Sequence, residues 1–268
     1  MTDNDKTDGE TVAKGWYVYG IVGADVEVLP ETTGIGEPPA PVVAVRSGDV
    51  AALVSEIDLN RPLGTTKDLM AHQRLLDDTI IAAPVLPIRF GAVLSSKDAV
   101  REELLEPQEE AFAGALAELD GEAQYVVHAR YVEERLMRDV MGDDKGALEL
   151  AQRIQTEPPE ATRDIRLQLG EAINKAVEER RRRDTQAVLD AVTPVTVETS
   201  IRDPVHEEDA AHVALLVSTQ HASDVDSALT RLAGEWADRV TVRLTGPMAP
   251  YDFVVATSGG PSGDTNGG

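Results

Sequence analysis

The chain contains no cysteine, which excludes disulfide bonds, thiolate nucleophiles and zinc sites built from thiolates. Aromatic residues make up only 4% of the sequence, so a core has to be built mainly from Val, Leu, Ile and Ala. No apolar run is long enough to cross a bilayer. Residues 1–14 are polar and acidic and lack the apolar stretch of a signal peptide, so we expect a cytoplasmic protein.

Basic residues are scarce relative to acidic ones. The sequence has 25 Lys and Arg against 48 Asp and Glu, a formal net charge of -23. Phosphate binding depends on Lys and Arg, so this charge argues against nucleic acid and against an anionic membrane surface as partners. It is typical of a solvated acidic surface, and it also suits binding to a basic surface on another protein.

Motifs for catalysis are missing as well. The sequence has no P-loop and no Gly-x-Ser-x-Gly nucleophile motif. Gly34-Ile35-Gly36 is followed by Glu37-Pro38-Pro39, which cannot open a helix as a dinucleotide-binding fingerprint requires. The stretch from His206 to His212 has metal-ligating residue types, but a metalloprotease helix needs its second histidine at position 210, which is Ala.

We therefore predict that the protein is not an enzyme and that it has no catalytic, cofactor-binding or metal-binding residues. No cofactor and no small-molecule substrate are expected. Two alternatives stay open from the residues alone: a metal-dependent hydrolase and a ligand-binding regulatory module, each on a ferredoxin-like scaffold.

Patterns of the first half predict alternating strands and helices. The run 16–22 is β-prone, and two apolar runs, 42–45 and 50–54, flank a glycine-centred turn and predict a hairpin. Apolar residues at helical spacing predict a helix over 67–81. His72 lies on its apolar face, where we expect a core-edge histidine with a hydrogen-bond partner.

The next stretch is extended and then helical. Two prolines keep 84–93 out of a helix. Ser95 or Ser96 caps a helix that Pro107 must kink or restart, and the alternation in 123–132 predicts a half-buried strand. Helices on one face of a mainly antiparallel sheet indicate a ferredoxin-like α+β sandwich.

A second α+β block follows a long helix predicted over 161–192. Strands are predicted at 195–198, 212–217 and 240–244, and a helix is predicted over 225–236 with a capping box at its start. The fold class is therefore α+β with two domains: an N-terminal ferredoxin-like α/β sandwich and a C-terminal α+β domain, joined by long helices.

The predicted organisation has five parts. Residues 1–14 form a disordered N-terminus, and 15–135 form the ferredoxin-like domain. Residues 136–160 are a helical connector, 161–257 form the C-terminal domain with its long helix, and 258–268 are a flexible tail rich in Gly and Ser.

The run Arg180–Arg183 is the most pointed electrostatic feature. Four consecutive arginines cover all sides of a helical turn and cannot form a one-sided buried stripe. They pair with Glu178, Glu179 and Asp184 on an exposed helix, or they form a docking site for an acidic partner segment.

Three stretches resemble one known family. They are Gly15–Val22, the run Pro84–Val93 with its "PVLP-x-RFG" pattern, and Leu244–Val254 with its "LTGP…PY-x-FV" pattern. The likeness covers about residues 15 to 256, and the family is GvpF/GvpL of the gas vesicle proteins. Family members often carry Trp after Gly-Pro, where this chain has Met248, so the F and L subtypes both stay open.

The resemblance implies a minor gas vesicle protein that is required for vesicle formation. It implies binding to the small hydrophobic shell protein and to other accessory gas vesicle proteins during nucleation or assembly, and a location at the gas vesicle. It also implies no catalytic residues. Combining the family motifs with the arginine run, we expect the protein contacts at Arg89, Phe90, Arg180, Arg181, Arg182, Arg183 and Tyr251.

Overall fold

The structure is a computed structural model that describes residues 13–143 and 145–254. The described residues form two compact units: 13–121 with 248–254, and 122–247 apart from residue 144. The ends predicted to be flexible lie outside the described residues, apart from Ala13 and Lys14. Within the described ranges, no helix combines the length and the apolar character needed to span a membrane.

The first unit is built on an antiparallel sheet with strand order β2-β3-β1-β4, in which β5 also pairs with β1. The predicted hairpin is confirmed, since β2 and β3 pair in register around Gly48, whose φ of 50° suits glycine. The strands are β1 (Lys14–Gly23), β2 (Val43–Ser47), β3 (Val50–Asp58), β4 (Leu86–Pro87) and β5 (Val93–Leu94).

Helix α1 (Thr66–Ala82) confirms the helix predicted over 67–81. It begins at a capping box, in which the Thr65 side chain accepts the Asp68 N–H and the Asp68 carboxylate accepts the Thr65 N–H. Its buried face includes Leu76 and Ile80, and the helix contacts β1.

The helical stretch after β5 is interrupted at Pro107, as predicted. Ser96 caps α2 (Lys97–Ala99), which continues as a π-helical turn (Val100–Leu105) and a 3₁₀ turn (Glu106–Gln108) before α3 (Glu109–Glu118). Proline has no N–H to donate and clashes with the preceding turn, so no regular α-helical ladder can run through position 107.

The second unit has a four-stranded sheet of order β7-β8-β6-β9. Long helix α6 contacts β8 and α7, and the core between them holds Val127, Val188, Val213 and Trp236. The elements are β6 (Glu122–Tyr131), α4 (Glu133–Asp143), α5 (Lys145–Thr156), α6 (Arg163–Val192), β7 (Glu198–Ile201), β8 (Asp209–Ser218), α7 (Ala222–Glu235) and β9 (Val240–Met248).

When the strands are counted within each unit, both sheets have the same strand order. The two units differ in their connections, and the second unit has the ferredoxin-like pattern in full. There the chain runs strand, helices, two strands, helix, strand, which is the complete β-α-β-β-α-β sequence. In the first unit a loop, residues 24–42, connects β1 to β2 where that sequence has its first helix. The predicted α+β class is confirmed.

The division between units differs from the predicted boundary at residue 135. Strand β6 was expected in the first domain, but it pairs antiparallel with β8, with Val127 opposite Val213. Helices α4 and α5, predicted as a connector, belong to the second unit, and residues 248–254 belong to the first. Alternation within a strand shows that one face is buried but does not show which sheet the strand joins.

The start of α7 also differs from its prediction. The N-cap residue is His221, and its side chain makes no capping hydrogen bond. The structure describes this helix start, and the capping box predicted from Ser223 and Asp226 is not found there. The segment predicted as a strand over 195–198 begins as a 3₁₀ turn, and β7 starts only at Glu198.

Candidate functional site

The family-like stretches converge on one histidine in the first unit. Tyr17 and Tyr19 come from β1, Phe90 comes from the segment after β4, and Tyr251 comes from the C-terminal stretch. The ring centroids of all four lie between 5.6 and 6.5 Å from that of His72. Two of the predicted contact residues, Phe90 and Tyr251, are therefore neighbours of the same buried ring.

His72 is a structural residue of this cluster. It is 3% exposed, and its Nδ1 lies 2.9 Å from the Tyr17 hydroxyl, which also accepts the N–H of Gly91. Burial lowers the pKa of His72 to about 4, against a smaller opposing effect of the Ile88 backbone. The ring is neutral near pH 7, which fits the expected core-edge histidine.

The outer side of the cluster reaches solvent. Tyr251 is 38% exposed, Phe90 is half-buried and Arg89 is exposed. Burial and the nearby Asp77 carboxylate raise the pKa of Tyr251, so its hydroxyl stays protonated at physiological pH. Phe90 and Tyr251 thus offer two partly covered aromatic rings, and the exposed Arg89 precedes Phe90 in the chain.

A larger feature of the same unit is a groove between loop 24–42 and α1, with a volume of about 880 Å³. Leu29 on the loop is 60% exposed, and Met70 on the helix is 66% exposed. Side chains this apolar and this exposed are unusual when they share one concave surface. The apolar lining includes Val26, Val28, Leu29, Val42, Met70 and Leu75.

The loop wall of the groove is held on the sheet by Tyr19. Its hydroxyl accepts the N–H of Ile35 at 2.9 Å and donates to Ser55 Oγ at 3.0 Å. Gly34 passes so close that a Cβ atom there would lie 1.9 Å from the hydroxyl oxygen, so only glycine fits. Ile35 is buried beside it. The groove thus has a fixed loop wall as well as a helical one.

Sequence reasoning did not find this groove. The Pro- and Gly-rich composition of 29–41 indicated a loop, and Met70 lies off the apolar stripe of α1. The available signal was an exposed Met on an otherwise polar helix face, beside Lys67 and Arg74. That signal became meaningful only when the loop was placed against the helix.

The arginine run divides into an internal half and an external half. Arg180 is 8% exposed and forms an ion pair with Asp143. Arg181 donates to the backbone carbonyls of Asp209 at 2.7 Å and Glu207 at 2.8 Å, and it pairs with Glu178. These two arginines hold the second unit together and are not available as the predicted docking site.

Arg182 and Arg183 are exposed on α6. Asp184, expected to pair with the run, instead accepts two hydrogen bonds from Arg239, at 2.7 and 2.9 Å, and one from the Tyr131 hydroxyl at 2.7 Å. Of the predicted run, only Arg182 and Arg183 present their side chains outward.

The stretch 206–212, with its metal-ligating residue types, is organised around the buried side chain of Asp209. Asp209 is buried and accepts the N–H groups of Val205 and His206 as well as a hydrogen bond from His128 Nε2 at 2.7 Å. Burial raises its pKa, but these hydrogen bonds outweigh burial and hold the pKa at about 2. Among the residues that the structure describes, no group of three or more His, Asp or Glu side chains is placed so that it could hold a metal ion.

The chain matches one protein family over most of its length. The family model described as "Gas vesicle synthesis protein GvpL/GvpF" matches residues 15–255. The chain is 34% identical over 243 residues to gas vesicle protein F of Streptomyces sp. (strain CB03234), covering 89% of this chain and 98% of the relative. It is 28% identical over 270 residues to gas vesicle protein L2 of Halobacterium salinarum, covering 90% of this chain and 92% of the relative.

Two solved structures share the fold. Gas vesicle protein GvpF from Anabaena sp. PCC7120 superposes with a TM-score of 0.73 at 22% identity, covering 89% of this chain and 97% of that one. GvpF from Microcystis aeruginosa superposes with a TM-score of 0.72 at 20% identity, covering 89% and 98%. At such identities the likeness establishes the α+β architecture.

Proposed function

The chain belongs to the GvpL/GvpF family of gas vesicle synthesis proteins, and from this premise we propose that it binds the small hydrophobic shell protein during vesicle nucleation or assembly. Family membership itself indicates a role in gas vesicle formation. In our proposal the chain acts without catalysis, by covering apolar surface of the shell protein. It associates with the vesicle through that contact.

The observation that carries this proposal is the groove between loop 24–42 and α1. An apolar subunit that has to reach an assembly site needs its exposed surface covered on the way, because exposed apolar patches aggregate. A groove of about 880 Å³ with Leu29 and Met70 exposed on its two walls suits an apolar segment of another protein. The net charge of -23 keeps such a complex soluble.

Other accessory gas vesicle proteins would dock elsewhere. We assign them the exposed pair Arg182 and Arg183, which suits an acidic segment, and the surface of Arg89, Phe90 and Tyr251. Arg180 and Arg181 are left out of this proposal because their guanidinium groups are already paired inside the second unit.

The test is a co-purification of the full chain with the shell protein encoded in the same host. Met70→Glu removes an apolar contact from the groove and puts a carboxylate there, and it should weaken binding about tenfold, because an apolar partner would have to strip water from that carboxylate. The matched control is Leu167→Glu on α6, since Leu167 is 62% exposed but lies outside the groove.

A second measurement follows vesicles in cells that lack the native gene. The wild type and Leu167→Glu should restore vesicles, and Met70→Glu should restore few. Thermal unfolding of each variant checks that the fold is intact. Equal binding and equal vesicle numbers for both variants would refute a groove-mediated contact.

A further inference from the structure

We infer that the groove between loop 24–42 and α1 receives an amphipathic α-helix of the partner, with Lys or Arg side chains flanking its apolar face. This inference rests on the proposed function, because it names the kind of segment that the same groove takes. It specifies that the bound segment is helical and that the segment carries basic side chains, neither of which follows from the proposed function alone.

The helical wall of the groove determines the shape. Lys67, Ala71, Arg74, Asp78 and Ala82 line it at intervals of three and four residues, which forms one ridge along α1. The backbone N–H and C=O groups within the helix are bonded to each other, so this wall offers side chains and no backbone edge on which a strand could pair. Ridges of this kind pack into the grooves of another helix.

The two walls differ in charge. On the helix, Arg74 pairs with Asp78, and Lys67 pairs with Glu37 of the loop, so these charges are compensated. On the loop, Glu27 and Glu31 are exposed, and neither has an ion-pair partner among the residues that the structure describes. The loop wall is therefore acidic and suits a partner helix with basic residues on that side.

Charge and composition also exclude the nearest alternative occupants. The terminal segments 1–12 and 255–268 contain Met1, Val12 and Val255 as their only large aliphatic residues, too few for an apolar helix face. A second copy of this chain brings another charge of -23 to an acidic wall. A basic-flanked helix of a different protein is favoured over both.

The inference is tested with the full chain and the shell protein at two ionic strengths. The double variant Glu27→Lys/Glu31→Lys should weaken binding about tenfold at about 20 mM salt, and the difference should shrink at about 300 mM as the charges are screened. The matched control reverses two other exposed acids of the same unit, Glu102→Lys/Glu103→Lys, and should change affinity less than about twofold.

The outcomes separate this inference from the function it rests on. If Met70→Glu weakens binding and the Glu27/Glu31 reversal leaves both affinity and salt dependence unchanged, the groove binds the partner but the basic-flanked helix is refuted. If neither change weakens binding, the groove itself is refuted. Equal losses from the Glu27/Glu31 and Glu102/Glu103 reversals would also overturn the inference, because they would reflect overall charge.

Discussion

Several polar side chains of this protein form ion pairs and hydrogen bonds within the fold. The arginine run shows this best: the sequence left open ion pairs on an exposed helix and a docking site. In the structure Arg180 pairs with a carboxylate, and Arg181 donates to backbone carbonyls of β8 and the preceding loop. A helix turns by about 100° per residue, so neighbouring residues face different surroundings. A charge run is therefore divided by packing, and only Arg182 and Arg183 remain for a partner.

His72 gives the protein a pH-dependent stability. Its pKa is lowered to about 4 by burial, whereas an exposed histidine has a pKa of about 6.5. Above pH 6.5 the ring is neutral in both states and costs nothing. As the pH falls from about 6.5 towards 4, the unfolded chain binds a proton that the folded chain does not, and stability falls by about 1.4 kcal/mol per pH unit from this group.

We therefore expect the destabilisation caused by His72→Gln to shrink by about 3 kcal/mol between pH 7 and pH 4, measured by urea unfolding at each pH. The control is His206→Gln, which removes an exposed histidine and should keep the wild-type slope. A destabilisation by His72→Gln that is the same at both pH values would contradict a buried neutral ring.

Elements of secondary structure depend on a few terminal residues. The capping box of α1 is an example, since Thr65 and Asp68 satisfy each other's backbone N–H groups and Arg61 pairs with the same carboxylate at 2.9 Å. Because α1 forms one wall of the groove, its first turn also sets where Lys67 and Met70 lie.

Thr65→Ala should lower the free energy of unfolding by about 1 kcal/mol, because it removes the cap and one partner of Asp68. Thr66→Ala is the neighbouring control: Thr66 is exposed and is not the N-cap, so its change should stay within about 0.5 kcal/mol. Chemical denaturation at neutral pH measures both. Equal effects would mean that the cap does not anchor the helix.

The whole molecule carries a charge imbalance that local ion pairs do not cancel. With 48 acidic and 25 basic residues, one-to-one pairing would still leave 23 acidic residues without a basic partner. Mutual repulsion of these groups disfavours the compact state, and salt relieves it by screening.

The melting temperature should accordingly rise between about 10 and 200 mM NaCl, by about 2–4 °C for each 1 kcal/mol of relief. Differential scanning calorimetry measures this, and KCl at the same ionic strength should give the same rise because screening depends on ionic strength. A fall in melting temperature would show that the ion pairs of α6 and the loop before β8 outweigh the overall repulsion.

The sequence by itself determined the elements and the α+β class. Period-2 and period-3.6 patterns located the first hairpin, α1 and α6, and the prolines of 84–93 and Pro107 marked where regular structure stops, because these signals depend on neighbouring residues only. The motifs around Phe90 and Tyr251 also indicated the family and two residues that meet at His72.

Only the tertiary structure decided which sheet β6 joins, which arginines are internal, and that loop 24–42 closes a groove on α1. Each of these depends on contacts between residues far apart in the chain. Alternation is the same for a strand in either sheet, and an exposed Met70 looks like any surface residue until Leu29 is placed opposite it. A local sequence pattern shows which residues are buried and at what spacing, whereas tertiary packing decides which distant residues they contact.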